Sequence, residues 1–199
     1  MEIEALERPK DITDLARRLI GFEFKVVPIP GGSKAPRIDN WQELDIHATE
    51  APVYFQRGMN VGVMHDNTTA IDIDVYDEKL AQRIKEEGLR RFPGALERIG
   101  QPPKTSLWLK GTVDVRNTKK RTKDETSAQV EIRSGRGRQS VAYGIHPDTR
   151  QVFTWPRGEL WETPRSQLPS AKQDDIEAFR DWCQEQIDAW AGVEPQQPS

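Results

Sequence analysis

Two aspartates in an alternating apolar stretch are the residues best suited to chemistry. The segment 70–75 reads AIDIDV, so a strand would place Ile71 and Ile73 on one face and Asp72 and Asp74 on the other. Side chains two residues apart on a strand are separated by roughly 6.5–7 Å. Two carboxylates at that spacing can bind one hard cation or a pair of cations. The alternative is an edge strand whose polar face is merely solvated.

A third acid has the same strand context. Residues 128–133 read AQVEIR, so Val130 and Ile132 form an apolar face and Glu131 points the other way. If both strands belong to one sheet, Asp72, Asp74 and Glu131 share a face. Three acids so arranged are the minimal apparatus for phosphoryl transfer with two Mg²⁺ or Mn²⁺ ions.

Other catalytic arrangements fit the sequence less well. It contains neither a phosphate-binding Gly-x4-Gly-Lys-Ser/Thr loop nor a serine nucleophile elbow. Cys183 falls on the apolar side of a terminal helix, which argues against a nucleophilic thiol. A calcium-binding loop beginning at Asp72 would need glycine where Asp77 stands and glutamate where Arg83 stands.

Basic residues accompany these acids in loops. Lys34 follows the break Pro-Gly-Gly-Ser, and a lysine on a glycine-rich loop can reach a phosphate, although a simply exposed lysine is the alternative. Lys104 stands where a loop becomes a strand. Two further segments, 117–124 and 134–138, are suited to phosphate-backbone contacts. Their candidate DNA-binding residues are Lys119, Lys120, Arg121, Lys123, Arg136 and Arg138.

The elements that must position these residues predict a mixed α+β fold. Helices are predicted at 11–20, 77–91 and 174–191, and a β-hairpin at 60–75 around the turn Asp-Asn-Thr-Thr. We divide the chain into a catalytic domain over 1–169, an amphipathic helix packed on it over 170–192, and a disordered tail over 193–199. His47 and His65 are interpreted as structural or surface residues.

Composition limits the partners, metal sites and cellular locations that the protein can have. The 199 residues carry a net charge of −3, which argues against wholesale wrapping of nucleic acid but not against local binding. A single cysteine excludes an internal disulfide framework and a cysteine-based zinc cluster. We see no membrane-spanning run and no signal peptide, so we expect no membrane partner and a cytoplasmic location.

Six motifs in order resemble the bifunctional DNA primase/polymerase (prim-pol) family of the archaeo-eukaryotic primase superfamily, over roughly residues 20–165. They are Lys34-x-Pro36 with Trp41, Asn60-Val-Gly-Val, Ile71-Asp-Ile-Asp, Gly100-Gln-Pro-Pro-Lys104, Val130-Glu-Ile and Gly144-Ile-His-Pro-Asp-Thr with Trp155. The resemblance implies an RRM-like antiparallel catalytic sheet with flanking helices and a smaller αβ unit, with the active site in the cleft between them.

The resemblance also implies residue roles. Asp72 and Asp74 match the metal-binding pair of the first motif, and Glu131 matches the third-motif carboxylate. The family's Ser-x-His second motif, which contacts the triphosphate, is replaced here by Pro-Lys-Thr, where Lys104 supplies a charge. His146 lies in the Gly-x-His-Pro turn and either contacts the nucleotide or stabilises its own loop. The expected nucleotide-binding residues are Lys34, Lys104, Arg133 and His146.

The expected function is therefore template-directed nucleotide addition, making and extending primers in phage or plasmid-type replication. Its partners would be a single-stranded DNA template, NTP or dNTP substrates, and a replicative helicase domain or protein. Two alternatives stay open: a non-catalytic nucleic-acid-binding module with a degenerate primase fold, and a metal-dependent nuclease sharing the acidic face.

Overall fold

The computed structural model describes residues 6–193, which contain four α-helices and eight strands. The helices are α1 (Ile12–Gly21), α2 (Ala51–Tyr54), α3 (Glu78–Arg91) and α4 (Gln173–Ala191). The strands are β1 (Val26–Ile29), β2 (Asn60–Met64), β3 (Thr68–Val75), β4 (Leu96–Arg98), β5 (Thr105–Lys110), β6 (Arg121–Lys123), β7 (Thr126–Ser134) and β8 (Gln139–Tyr143).

The strands form two antiparallel sheets. The smaller sheet has the order β1-β2-β8, and the larger has the order β4-β5-β3-β7-β6. The predicted α+β class is confirmed. The division into a domain and an appended helix stays a prediction. Of the predicted tail over 193–199, all but Val193 lies outside the described residues, as do the first five residues of the chain.

The predicted β-hairpin over 60–75 is wrong, although both of its strands form. Strand β2 lies between β1 and β8, whereas β3 lies between β5 and β7 in the other sheet. The chain crosses between the sheets at 65–67 instead of folding back on itself. All five residues of β2 are buried, so neither face of this strand is left to solvent. Alternation specified the two strands but not their partners.

Helices α3 and α4 cover one face of the larger sheet. The carboxylate of Asp77 caps α3 by accepting a hydrogen bond from the backbone N–H of Leu80. One core joins the sheet to both helices, and burying each large aliphatic side chain in it contributes about 2 kcal/mol. Its fully buried members include Ile71, Ile73, Val75, Ile84, Ile176, Phe179, Cys183 and Ile187. The opposite face of β3, which carries Asp72 and Asp74, therefore turns toward the smaller sheet.

The two sheets contact each other around Trp108. This side chain is fully buried, with its ring 5.2 Å from that of His65 and 5.1 Å from that of Trp155. The same core includes Ala70 at the start of β3 and Val63 of the smaller sheet. The sheets are thus joined at this end, and the polar residues further along β3 line a cleft. Within residues 6–193, none of the helices has the length and apolar character that crossing a membrane requires.

His65 is a buried structural residue, as one of its two interpretations predicts, and His47 is exposed. The ring nitrogens of His65 lie 2.9 Å from Thr68 Oγ1 and 2.9 Å from Ser140 Oγ, so the imidazole joins the crossover to β8. Burial, with Arg133 and Arg98 adding to it, lowers the pKa of His65 to about 3. The folded protein therefore holds this ring neutral, whereas the unfolded chain protonates it below about pH 6.5.

This predicts acid sensitivity. Between pH 6.5 and 3 the unfolded chain binds one more proton at His65, so stability falls as the pH falls through that window. From pH 7.5 to pH 5 the loss from this group is about 2 kcal/mol. Urea unfolding at both pH values measures it. A His65→Gln variant, which keeps hydrogen-bonding capacity but does not titrate, should lose about 2 kcal/mol less than the wild type. An equal loss in both proteins would contradict this account of His65.

Candidate active site

A cleft of about 160 Å³ opens where the two sheets diverge. The larger sheet contributes the two β3 aspartates, and β8 of the smaller sheet forms the facing wall. Four basic side chains and one histidine complete its charged and titratable lining. The charged and titratable residues that line the cleft are Lys34, Asp72, Asp74, Arg98, Lys104, Arg133 and His146.

Strand pairing places the three predicted acids on one sheet face. In the antiparallel register of β3 with β7, Asp72 stands directly opposite Glu131, and Ile71 stands opposite Ile132. Directly opposed residues project from the same face. The alternating burial along β7 leaves Glu131 partly exposed between buried Val130 and Ile132, as predicted. Glu131 is therefore turned away from the helix-covered core.

Arg133 lies between two of these acids. One nitrogen, Nη2, is 2.9 Å from Asp72 Oδ2 and 2.9 Å from Glu131 Oε2. Because Arg133 and Glu131 are two residues apart on β7, their side chains project to the same face and meet there. The residue predicted to bind a nucleotide thus neutralises two carboxylates in this structure.

Lys104 neutralises the other aspartate. Its Nζ is 2.9 Å from Asp74 Oδ1 and 3.6 Å from the centre of the Tyr76 ring. Burial lowers the pKa of Lys104, but hydrogen bonding to Tyr76 and to Asp74 outweighs it and the pKa is raised. The ammonium group is therefore charged at neutral pH. Asp74 Oδ1 is buried and contacts no other donor within the described chain, so one lone pair is available to another cation.

Arg98 is a cleft residue that the sequence did not single out. It ends the short edge strand β4, donates a hydrogen bond from Nη1 to the carbonyl of Val141, and lies over the Phe153 ring at 5.0 Å. Its Nη2 is 4.0 Å from Asp72 Oδ1. Burial, opposed by Asp72 and assisted by Arg133, lowers the pKa of Arg98 to about 10. The guanidinium is thus a charged, largely desolvated group fixed between the two sheets.

The model of one protein family, the bifunctional DNA primase/polymerase N-terminal domain, matches residues 16–171. The chain belongs to this family. The match contains every cleft residue described above. Membership gives the chain a primase- or polymerase-type function at the family level, with DNA and nucleotides as the substrates of that function. A comparison with curated proteins found no match.

The prim-pol acids fit a divalent cation as a pair rather than as a compact trio. Within residues 6–193, no three His, Cys, Asp or Glu side chains lie close enough together to hold a metal ion. The expected convergence of Asp72, Asp74 and Glu131 on one cation position is therefore not formed here, because Arg133 lies between Asp72 and Glu131. Magnesium nevertheless commonly takes only one or two carboxylates together with substrate phosphates. Asp74 Oδ1, which is buried and contacts only Lys104 Nζ among the described residues, has a lone pair left for such an ion.

Lys34 and His146 also line the prim-pol cleft, Lys34 as an exposed and His146 as a buried side chain. Lys34 Nζ forms an exposed ion pair with Asp148 Oδ2 at 2.7 Å. His146 Nδ1 accepts hydrogen bonds of 3.3 Å from the backbone N–H groups of Asp148 and Thr149. Burial of the ring, and to a lesser extent the positive charge of Lys34, lowers the pKa of His146. The ring therefore stabilises its own turn in the neutral form, and its contact with a nucleotide stays a prediction.

The predicted DNA-binding residues separate into two groups. Arg136 and Arg138 follow β7; Arg136 pairs with Glu43, and Arg138 lines a groove of about 250 Å³ that also contains Trp41. Arg133 and Gln139 border both this groove and the cleft, so the two are neighbours.

The segment 119–123 lies elsewhere, against the C-terminal helix. The backbone N–H of Lys119 donates to Gln184 Oε1, and Arg121 Nε pairs with Asp188 Oδ1 at 2.6 Å. Lys123 Nζ lies 6.0 Å from the Trp190 ring centre, and Lys120 is exposed. The expected basic loop over 117–124 instead contains edge strand β6, paired with the start of β7. These four residues are therefore not brought to the cleft.

Proposed function

We propose that this prim-pol domain is a DNA primase/polymerase that makes and extends primers on single-stranded DNA, in replication of the phage or plasmid type. The observation that carries the proposal is the pair Asp72 and Asp74 on one strand face, with Glu131 directly opposite Asp72. Three basic side chains lie at the same point of a cleft between two sheets. Acids for a metal and cations for a triphosphate are what nucleotidyl transfer requires.

Asp72 and Asp74 would hold Mg²⁺ or Mn²⁺, and Glu131 would join them for a second ion. When bound, the ions neutralise charge on the transferred phosphoryl group and favour the attacking 3′-hydroxyl as a nucleophile. The strand backbone fixes the spacing of the two aspartates, so the carboxylates need little reorganisation. Partial burial between the sheets limits competing water and strengthens their charge interactions.

Lys104, Arg133 and Arg98 would bind the triphosphate oxygens, with Lys34 at the outer end of the cleft. Arg98 differs from the others because Val141 and Phe153 hold its guanidinium in place. A fixed, desolvated guanidinium gives strong charge-assisted hydrogen bonds to phosphate. His146, neutral because its pKa is lowered, has Nδ1 engaged with its own turn and would approach the nucleotide only through its other ring nitrogen.

The template would pass through the groove that adjoins the cleft beyond Arg133. Trp41 offers an aromatic face and Arg138 a positive charge, the combination that binds single strands through base stacking and phosphate contact. Arg136, through its ion pair with Glu43, ties the loop after β7 to the turn that carries Trp41. Lys119, Lys120, Arg121 and Lys123 would contact only template phosphates that extend around the sheet edge. Of these, Arg121 already has a partner in Asp188.

Trp41→Ala should lower the affinity for single-stranded DNA by about tenfold, because one stacked base is worth about 1–3 kcal/mol. Fluorescence anisotropy with a labelled oligonucleotide measures the change. Trp182→Ala is the matched control, since Trp182 stacks on Phe179 in the helix layer on the other side of the larger sheet. If the Trp41 variant and the wild type bind single-stranded DNA with equal affinity, Trp41 does not contact the template.

One incubation separates the proposed function from its alternatives. The protein is combined with Mn²⁺, labelled nucleotides and an unlabelled single-stranded template, with dNTPs and NTPs in separate reactions. Extension products are expected. A degraded template would instead indicate a nuclease, and a mobility shift without products would indicate a non-catalytic binding module. A replicative helicase domain or protein is the expected partner of the active enzyme, because primers are needed where the duplex is opened.

A further inference from the structure

Each of the three acids, Asp72 and Asp74 in the cleft and Glu131 in the adjoining groove, already has a cationic partner from the same chain. Arg133 Nη2 contacts both Asp72 and Glu131 at 2.9 Å, and Lys104 Nζ contacts Asp74 at 2.9 Å. These are the oxygens that a divalent ion would use. An arriving metal ion must therefore compete with two internal cations for its ligands.

Charge balance makes this competition unfavourable for a metal ion alone. Around the acids, three carboxylates face three cationic groups, the third being Arg98 at 4.0 Å from Asp72. A bare divalent cation therefore meets almost no net negative field. A complex of a divalent cation with a nucleoside triphosphate is itself an anion, and it brings phosphate oxygens that can take over the basic side chains.

We propose that Arg133 and Lys104 act as internal counter-ions that keep a free divalent cation out of the site until a nucleoside triphosphate draws them off the acids. Metal and nucleotide then bind cooperatively, each increasing the affinity of the other by the same factor. This inference rests on the proposed function, since it takes Asp72 and Asp74 as the metal ligands. It adds an order of events that the acids alone do not dictate.

The two side chains are suited to change partners. Arg133 Nε is buried without a hydrogen-bond partner among the described residues, so the guanidinium does not use its full donor set on the acids. Guanidinium groups bind phosphate through two parallel hydrogen bonds, which Arg133 does not form with either acid. Lys104 is a point charge on a flexible stem. Arg98, in contrast, is held by Val141 and Phe153 and stays in place.

The test measures Mn²⁺ binding in the absence of nucleotide. The electron paramagnetic resonance signal of the free ion reports how much Mn²⁺ stays unbound. Wild-type protein is compared with Arg133→Gln, with Asp72→Asn/Asp74→Asn, and with Arg90→Gln. The last is the matched control, because Arg90 pairs with Glu87 on the exposed surface of α3. Binding of a labelled non-hydrolysable dNTP in the presence of Mn²⁺ is measured on the same proteins.

Arg133→Gln is expected to bind free Mn²⁺ about tenfold more tightly than wild type and to bind the nucleotide about tenfold more weakly. Arg90→Gln should match wild type in both measurements. If Arg133→Gln binds free Mn²⁺ no more tightly, while the double aspartate variant loses Mn²⁺-dependent binding of the nucleotide, the counter-ion role is wrong and the proposed metal site stands. If the double aspartate variant binds the nucleotide in the presence of Mn²⁺ as tightly as wild type, the proposed metal site itself is wrong, and the inference fails with it.

Discussion

Asp72→Asn and Asp74→Asn are each expected to lower nucleotide incorporation by a factor on the order of 10³, while the fold is retained. An amide has nearly the shape of a carboxylate but lacks the charge that a hard cation requires. Losing preorganised stabilisation of the charge that develops in the transition state typically costs about 10²–10³ in rate. Incorporation of labelled nucleotide into a primed template measures the effect.

Stability should change little in these aspartate variants. In Asp72→Asn, Arg133 keeps Glu131 as a partner, and in Asp74→Asn, Lys104 keeps its contact with Tyr76. Urea unfolding should therefore give values within about 1 kcal/mol of wild type. Asp66→Asn is the matched control, because it breaks an ion pair with Lys25 that does not line the cleft. A folded aspartate variant with wild-type incorporation would show that the substituted aspartate does not bind the catalytic metal.

Arg98→Met should lower incorporation by about 10²-fold without loss of stability. Methionine keeps the apolar contact with Phe153. It also removes the buried guanidinium charge, whose desolvation costs free energy in the folded state. Asp72 is not left unpaired, since Arg133 remains 2.9 Å away. What is lost is a fixed cation for the triphosphate, the kind of donor whose removal costs about 10²–10³ in rate.

Arg98→Lys separates charge from geometry. Lysine retains the positive charge but cannot reproduce the planar group that reaches Val141 and covers Phe153. Partial recovery of incorporation relative to Arg98→Met, with a raised KM for the nucleotide, is the expected result of steady-state kinetics. If Arg98→Met unfolds at a lower urea concentration and keeps its rate per folded molecule, Arg98 is a structural residue and not part of the site.

Local sequence patterns predicted the elements of this fold better than their pairing. Alternation placed Ile71 and Ile73 on the buried face of β3 and the aspartates on the other, and the helix predicted over 77–91 forms as α3. The hairpin prediction failed because both partners of β3 lie far away in the chain: Ile71 pairs with Leu107 on one side and with Ile132 on the other. A turn sequence between two strands does not reveal that other strands will bind both of their edges.

The candidate site was likewise predictable only in part. The apolar neighbours of Glu131 predicted which side of its strand it lies on, but its register with Asp72 depends on tertiary structure and was not predictable from the sequence. Arg98 was missed because a three-residue edge strand has too little periodicity to mark its last residue as inward-facing. The basic run 119–123 drew attention by charge alone. The signal against it was Asp188 in the terminal helix, whose pairing with Arg121 only the folded chain reveals.

The most direct test of the central claim is the position of the metal. Crystals grown with Mn²⁺, a non-hydrolysable dNTP and a short template-primer can be measured at the manganese absorption edge. We expect an anomalous peak about 2–2.5 Å from carboxylate oxygens of both Asp72 and Asp74, with Arg133 or Lys104 moved onto phosphate oxygens. A peak at other residues, or a bound nucleotide with both ion pairs to the aspartates intact, would contradict it.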